Sequence, residues 1–405
     1  MIVSIQKPAG ALKAAVTAVM AVCFFLPYLT PADGFNIIGY FPSWRGAPTT
    51  AQLSKLTHII FAFGSPTAAG GLTPGITNLS QLTASARAQG VKSALAVGGG
   101  AYGDGNFPAI AASAALRSAF CTACTSATTT YGLDGIDIDW EYPDAGTQSA
   151  GYALLMADLA QALHAKGKFL SAAVTDNDWP GSIPTGSSVL QNVDFLNIMV
   201  YDMGNPHSPY SGAVNSLNTW CVTKGLARNK YMLGVPFYAN NPAVTTYAAI
   251  VAQYPAAGSA DGVGGYDYNG IPTIVSKTRL ALQQAGGIMI WEIGQDATGQ
   301  ASLLNAIYTT VANAQTRRPL FSATSGSAAA PVITAAGRTL IVLCAADNVS
   351  MLTLYSCNGK AVRSFGVRLA KGDNRIALPV QTAGGIYIVK LSGSTGAASG
   401  RVVIP

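Results

Sequence analysis

The chain has 405 residues, enough for one enzyme-sized domain and a smaller module, and only 10% of them are charged. Its formal net charge of +6 is uneven, because residues 333–405 hold eight basic residues and two acids, which leaves residues 33–332 slightly negative. A large region without a basic field argues against nucleic acid as its ligand and favours a neutral substrate.

Residues 1–32 predict a signal peptide. Lys7 and Lys13 are the only charges, an uncharged and mostly apolar run occupies residues 14–29, and the small residue Ala32 suits cleavage. The run is short for a membrane span, and no stop-transfer charges follow it. We therefore expect a secreted protein, with a retained N-terminal helix as the alternative.

Eight short apolar segments then alternate with amphipathic or Ala-rich stretches. The predicted strands are residues 35–40, 58–63, 93–97, 135–141, 170–175, 195–201, 231–237 and 287–291. The predicted helices include residues 78–88, 110–128, 149–165, 214–226, 273–284 and 301–314. Buried strands that alternate with helices indicate a parallel sheet covered by helices, and eight such units predict a (β/α)8 TIM barrel over residues 33–315.

A change of composition marks the end of this domain. Residues 316–332 are rich in Arg, Ser, Ala and Gly without periodicity, as is typical of a linker. Short alternating segments separated by turn residues follow, so we predict a small all-β sandwich over residues 333–405.

The segment 131–143 carries an unusual cluster of acids. Asp134, Asp137, Asp139 and Glu141 stand within eight residues of a chain in which charged residues are rare. In a helix, Asp134, Asp137 and Glu141 would share a face. In a strand, Asp137, Asp139 and Glu141 would share a face. The flanking glycines and proline disfavour a helix, and the alternating β-branched and aromatic residues suit a buried strand. We therefore predict three carboxyls on one strand face at roughly 6.5 Å per step, with Glu141 at the exposed end.

Two other interpretations fit the acids less well. A solvated acidic stretch would not alternate with apolar residues such as Ile136 and Ile138. A calcium-binding loop beginning at Asp137 requires glycine at its sixth position, where Tyr142 stands.

The acids form the pattern Asp-x-x-Asp-x-Asp-x-Glu, and the chain resembles the family 18 glycoside hydrolases, which include the chitinases. The resemblance extends to Gly39-Tyr40, residues 57–63, Gly98-Gly99, residues 199–202 and residues 286–292, and it covers residues 35 to about 300. It implies a TIM barrel whose chemistry lies at the C-terminal ends of the strands.

The resemblance also implies substrate-assisted retaining catalysis, in which the acetamido oxygen of the substrate attacks and forms an oxazolinium ion. Glu141 would be the general acid and then the base for water. Asp139 would orient the acetamide and stabilise the intermediate, Asp137 would share a proton with Asp139, and Tyr201 would donate a hydrogen bond to the acetamide oxygen.

The remaining residues of the motifs would bind substrate, with Trp291 as the apolar floor for a sugar ring. This set comprises Tyr40, Phe61, Gly98, Gly99, Met199, Asp202, Tyr238 and Trp291. Position alone would equally suit Trp291 as a core residue. The three histidines are too scattered for a metal cluster, so we expect neither a metal nor a cofactor.

Some positions depart from the family pattern. Ala96 stands where a serine is common, Gly100 where a tryptophan is frequent, and Ala239-Asn240 where Gly-Arg is frequent. The segment 239–286 is too short for the α+β insertion that deepens the cleft of processive chitinases, so we expect an open groove and internal cleavage of the polymer.

We therefore predict a secreted, monomeric, endo-acting chitinase that hydrolyses β-1,4 bonds between N-acetylglucosamine units. Two alternatives remain open: an endo-β-N-acetylglucosaminidase acting on N-glycans, and a non-catalytic chitin-binding lectin. The C-terminal module resembles the sorting domain of the type IX secretion system, through residues 359–362, 385–390 and 401–404. An accessory carbohydrate-binding module is the alternative there.

Overall fold

The computed structural model describes residues 34–179, 181–316, 332–336, 339–344, 347–356, 360–378, 385–393 and 396–404. The predicted signal peptide at 1–32 and nearly all of the predicted linker at 316–332 lie outside these residues. The chain divides into two compact units, one ending at residue 318 and one beginning at residue 319.

Eight parallel strands form the centre of the first unit. They are β1 (Asn36–Pro42), β2 (His58–Pro66), β3 (Lys92–Gly98), β4 (Gly135–Asp139), β5 (Phe169–Thr175), β6 (Phe195–Met199), β7 (Tyr231–Pro236) and β8 (Gly287–Trp291). Each strand pairs with its neighbours in sequence, and β1 pairs with both β2 and β8, so the sheet closes on itself. The predicted (β/α)8 barrel is confirmed.

Ten helices accompany these strands in the described part of the chain. They are α1 (Thr50–Leu53), α2 (Leu79–Ala88), α3 (Phe107–Ala112), α4 (Ala114–Tyr131), α5 (Thr147–His164), α6 (Val189–Asn192), α7 (Tyr210–Leu217), α8 (Tyr247–Gln253), α9 (Ile271–Gln284) and α10 (Leu303–Thr316). The single helix predicted at 110–128 is two helices, because Ser113 has extended backbone and its hydroxyl caps α4. None of the described helices is both long and apolar enough to cross a membrane.

Strand alternation divides the apolar side chains of the barrel into two layers. Outward-facing residues such as Ile59 and Ile138 pack in the layer that includes the helices. Inward-facing residues such as Ile60, Ala96 and Met289 fill the barrel interior. Side chains therefore fill the interior below the strand ends, and the cavity described below opens at the mouth.

Two strands end two residues earlier than the sequence predicts. β4 ends at Asp139 and β6 ends at Met199, each two residues before the predicted end. The last register pair of β4 with β3 joins Asp139 and Gly98, and β4 pairs with β5 only as far as Ile138. Glu141 therefore lies beyond the ladder, at the mouth.

The second unit contains seven strands in its described residues: β9 (Val332–Ala336), β10 (Thr339–Cys344), β11 (Asn348–Ser356), β12 (Ala361–Leu369), β13 (Gly372–Ala377), β14 (Gly385–Gly393) and β15 (Gly396–Ile404). β9, β10 and β13 form one antiparallel sheet, and the other four form a second. Leu340 and Val342 of the first sheet share a buried cluster with Leu352 and Leu354 of the second. This arrangement is the one expected for a small sandwich.

Candidate active site

Two carboxyls of the acid cluster lie inside the barrel. The side chains at 137 and 139 alternate with Ile136 and Ile138, which belong to the outer layer. Asp137 is fully buried, and Asp139 is 3% exposed. Two acidic side chains therefore lie in the barrel interior, where an unpaired charge is unfavourable in free energy.

Asp137 is held by three hydrogen-bond donors from different strands. Tyr40 Oη donates to Oδ2 at 2.7 Å, and Ser171 Oγ and Asn197 Nδ2 donate to Oδ1 at 2.6 and 3.1 Å. Burial raises the pKa of Asp137, and these three donors act in the opposite direction. Asn197 Nδ2 also donates to Tyr40 Oη at 3.0 Å, which joins the four side chains in one network.

Asp139 is connected to the acid at the mouth. A side-chain hydrogen bond joins Asp139 and Glu141, while the Oδ1 atom of Asp139 has no hydrogen-bond partner. Burial, followed by the charges of Glu141 and Asp137, raises the pKa of Asp139 well above its ordinary value. The two carboxyls are therefore a coupled pair that can share a proton, with burial favouring its retention.

Glu141 occupies a half-buried position at the end of this series. Burial raises the pKa of Glu141, whereas hydrogen bonds from Tyr142, Asp139 and the Gly100 backbone lower it. A Cβ atom at Gly100 would lie 3.2 Å from Oε2 of Glu141. A side chain at position 100 would therefore press on the acid, and glycine leaves room beside it.

A cavity of about 750 Å³ opens at this end of the barrel. Its lining includes seven of the predicted site residues, namely Tyr40, Asp139, Glu141, Met199, Tyr201, Asp202 and Trp291. The Trp291 ring lies 5.6 Å from the Tyr40 ring and 5.8 Å from the Phe63 ring, measured between centroids. These three rings form an apolar wall on which the face of a sugar can lie.

Asp202 is fixed at the rim by neutral donors. Tyr238 Oη lies 2.8 Å from both of its carboxylate oxygens, and Asn240 Nδ2 donates to Oδ1 at 2.8 Å. Among the described residues, the acceptor of the Tyr201 hydroxyl is the sulfur of Met289, a weak one at 3.9 Å. Tyr201 can therefore donate a stronger hydrogen bond to a ligand in the cavity.

The expected contact of Phe61 with substrate is wrong. Phe61 is fully buried in the outer layer of β2, because it alternates with the inward-facing Ile60 and Ala62. The pairing of β2 with β3 is irregular between Ala62 and Gly64, and Phe63, which lies in this irregularity, lines the cavity instead. Strand periodicity could not reveal this break.

The structure places four other predicted residues behind the cavity lining. Asp137 and Tyr238 act through the hydrogen bonds described above. Gly98 and Gly99 have φ values of 115° and 93°, and a Cβ at Gly98 would lie 2.1 Å from the carbonyl oxygen of Asp139. The two glycines therefore let the end of β3 approach the strand that carries the acids.

Among the residues of the site that sequence reasoning missed, four stand out. Ser171 and Asn197 hold Asp137, and their signal was a polar residue inside each of two apolar strands. Trp44 and Trp179 line the cavity and are 64% and 68% exposed. Their signal was a tryptophan shortly after a predicted strand end. The described residues contain no group of His, Cys, Asp or Glu arranged to hold a metal ion.

Comparison with known proteins agrees with this geometry. The family model for glycosyl hydrolases family 18 matches residues 36–296. The chain is 26% identical to chitinase 1 of Aphanocladium album over 331 residues, which cover 66% of this chain and 77% of that protein. It is 30% identical to a probable endochitinase of Caenorhabditis elegans over 214 residues, which cover 44% of this chain and only 34% of that protein.

A solved structure gives the same result. The GH18 chitinase ChiB from the chitin utilization locus of Flavobacterium johnsoniae superimposes with a TM-score of 0.62 at 29% identity. The match covers 68% of this chain and 94% of that one. Because the family model spans well over half of the chain and includes the acid cluster, the chain belongs to family 18 of the glycosyl hydrolases.

Proposed function

We propose that this protein is a secreted, endo-acting chitinase that hydrolyses β-1,4 bonds between N-acetylglucosamine units. The observation that carries the proposal is the hydrogen-bonded pair of Asp139 and Glu141 at the floor of the cavity. The pKa of each is raised by burial, so the pair retains a proton to a higher pH than free carboxyls would. Such a pair supplies the acid that a leaving glycosidic oxygen requires.

The same pair argues for attack by the substrate itself. Asp139 is buried and shares a hydrogen bond with Glu141, and Asp202 is occupied by hydrogen bonds from Tyr238 and Asn240, so neither carboxyl is free to attack the anomeric carbon. In the proposed reaction the acetamido oxygen attacks the anomeric carbon while Glu141 protonates the departing oxygen, and the glycosidic bond breaks. Water then attacks the anomeric carbon and opens the oxazolinium ion, and the proton that the water loses passes to Glu141.

Two features support internal cleavage of a polymer. The segment between β7 and β8 holds only α8, α9, a short 3-10 turn and two pairs of two-residue strands, so no large insertion covers the cleft. The exposed rings of Trp44 and Trp179 line the cavity from the loops after β1 and β5, which suits a chain that passes through an open groove.

The test compares wild type with Glu141→Gln on N-acetylglucosamine oligomers and on a high-mannose glycoprotein. We expect wild type to cleave the oligomers internally and the variant to lose roughly 100- to 10,000-fold in kcat while still binding them. Asp158→Asn is the matched control, because Asp158 pairs with Arg117 in the helix layer. It should retain full activity.

The other outcomes separate the alternatives. Cleavage of the glycoprotein alone would identify an endo-β-N-acetylglucosaminidase, and binding without hydrolysis by wild type would identify a lectin. Equal turnover by wild type and Glu141→Gln would refute the role of Glu141.

We propose export for the mature protein as well, with cleavage after Ala32 and a sorting role for residues 333–405. The sequence of the N-terminal segment and the resemblance of residues 359–362, 385–390 and 401–404 to a sorting domain support this proposal. Mass spectrometry of the protein recovered from the culture medium tests it, and a full-length intracellular product would contradict it.

A further inference from the structure

Lys277 on α9 is fully buried, and no carboxylate of the described residues contacts its ammonium group. Its Nζ atom lies 2.7 Å from each of three acceptors, which are the Ser208 carbonyl, the Ser208 hydroxyl and Oδ1 of Asn269. A buried lysine pays a large desolvation cost, so its retention at this position needs a reason.

The three acceptors match the three protons of an ammonium group. The Ser208 hydroxyl already donates its own proton to the carbonyl of Val200, so it can only accept from Lys277. Burial lowers the pKa of Lys277 to about 7, and the charges of Asp261 and Asp267 act in the opposite direction. Three acceptors at 2.7 Å nevertheless suit the ammonium form, which has three protons to donate.

Ser208 connects Lys277 with the active site. Val200 follows the last residue of β6, and its buried carbonyl accepts the Ser208 hydroxyl at 2.5 Å. The next two residues are Tyr201 and Asp202, which both line the cavity. The hydrogen bond thus joins the two ends of the 200–208 loop.

Closure of the loop supports Asp202, which has the left-handed backbone value φ 61° and whose carboxylate is also held by Tyr238 and Asn240. Such a conformation costs about 1–3 kcal/mol at a residue other than glycine and persists only where the surroundings enforce it. Within the loop, Met203 N donates to the His207 carbonyl at 3.0 Å. His207 N donates to Oδ2 of Asp267 at 2.6 Å, and Asn269 Nδ2 donates to the Ser208 carbonyl at 2.9 Å, so Lys277 acts at Ser208 together with these anchors.

We propose that Lys277 is a positioning residue for the reaction: its ammonium fixes Ser208, and Ser208 fixes the backbone from which Tyr201 and Asp202 extend into the cavity. The inference rests on the proposed function for the roles of those two side chains. It assigns a functional task to a residue on the outer helix layer, outside the cavity lining.

The kinetic test uses Lys277→Met, Ser208→Ala and the double variant on N-acetylglucosamine oligomers. Each single change should lower kcat about 10- to 100-fold with little change in KM, since a small displacement near the reacting atoms has effects of this size. The kcat of the double variant should lie within about twofold of the kcat of the more impaired single variant, because both substitutions remove the same contact. Ser208→Thr, which keeps the hydroxyl, should restore most of the activity.

Lys230→Met is the matched control. Lys230 also donates to three acceptors, the carbonyls of Leu190, Gln191 and Val193, but it lies just before the start of β7 at the opposite end of the barrel. The Lys230→Met substitution should lower the free energy of unfolding without lowering kcat. Equal losses of kcat in Lys277→Met and Lys230→Met, or losses that multiply in the double variant, would overturn the proposal.

Hydrogen exchange tests the inference independently of the reaction. Lys277→Met should accelerate amide exchange in residues 201–208 at least tenfold, and Lys230→Met should not. If wild type proves inactive, the proposed function fails while this measurement still decides the structural part. Unchanged exchange at 201–208 would refute the inference even in an active enzyme, and Ser208→Ala serves in its place if Lys277→Met does not fold.

Discussion

Replacing Ser171 by alanine should destabilise the barrel by an amount that grows as the pH rises. The Ser171 hydroxyl is fully buried and donates to Oδ1 of Asp137 at 2.6 Å. A hydrogen bond to a charged group contributes about 1.5–3 kcal/mol, against about 0.5–1.5 kcal/mol between neutral groups. The penalty should therefore be about 1–1.5 kcal/mol larger when Asp137 is ionised, which corresponds to about one unit in its pKa.

The sign follows from the pKa of Asp137, which burial raises above its ordinary value of 3.8. The folded barrel thus holds this proton more tightly than the unfolded chain, and wild type loses stability as the pH rises from 3.8 to the folded pKa. Ser171→Ala raises the folded pKa further, so the variant continues to lose stability over a wider range. The difference between the two proteins is smallest near pH 4 and constant above the pKa of the variant.

Urea unfolding followed by tryptophan fluorescence measures this difference between pH 4 and pH 8. All five tryptophans lie in the barrel unit, so the signal reports that unit alone. Ser149→Ala is the control, because Ser149 Oγ donates to a neutral carbonyl, that of Ser182, at 2.8 Å. Its penalty should not vary with pH. A Ser171→Ala penalty that is constant, or that grows toward low pH, would refute the reasoning about Asp137.

Three further predictions address the cavity and its backbone. Trp179→Ala should raise the KM for long oligomers about tenfold, because a sugar ring can stack on the indole at the cavity. It should not lower the melting temperature, because Trp179 is 68% exposed. Unchanged affinity for oligomers in calorimetry would exclude stacking on Trp179. Gly98→Ala should lower the free energy of unfolding in urea by more than about 2 kcal/mol. Gly46→Ala should lower it less, because Gly46 has a similar φ of 83° but open space where a Cβ would lie. Equal losses would mean that the Asp139 carbonyl does not restrict position 98. The value of kcat/KM should fall as the pH rises through the raised pKa values of the Asp139 and Glu141 pair, because the reaction needs a proton on Glu141. A decline that starts near 4.5, the ordinary pKa of a glutamate, would contradict the argument that burial raises these pKa values.

The sequence determined the barrel because its signals are local. Each strand is a short apolar run, each helix has its own periodicity, and eight alternations allow few architectures. The acid cluster was equally readable, because residues 137, 139 and 141 are separated by the two-residue period of a strand. These features do not depend on which distant residue becomes a neighbour.

Only the tertiary structure decided which side chains meet at the mouth. Phe63 replaced Phe61 because an irregularity in β2 shifts the alternation, and such a shift depends on pairing with β3. Ser171, Asn197 and Lys277 are far from the acids in sequence, and their hydrogen bonds exist only after the barrel closes. A polar residue in an apolar segment indicates that some partner exists, but its identity follows from the strand register and the packing of helices, which long-range contacts establish.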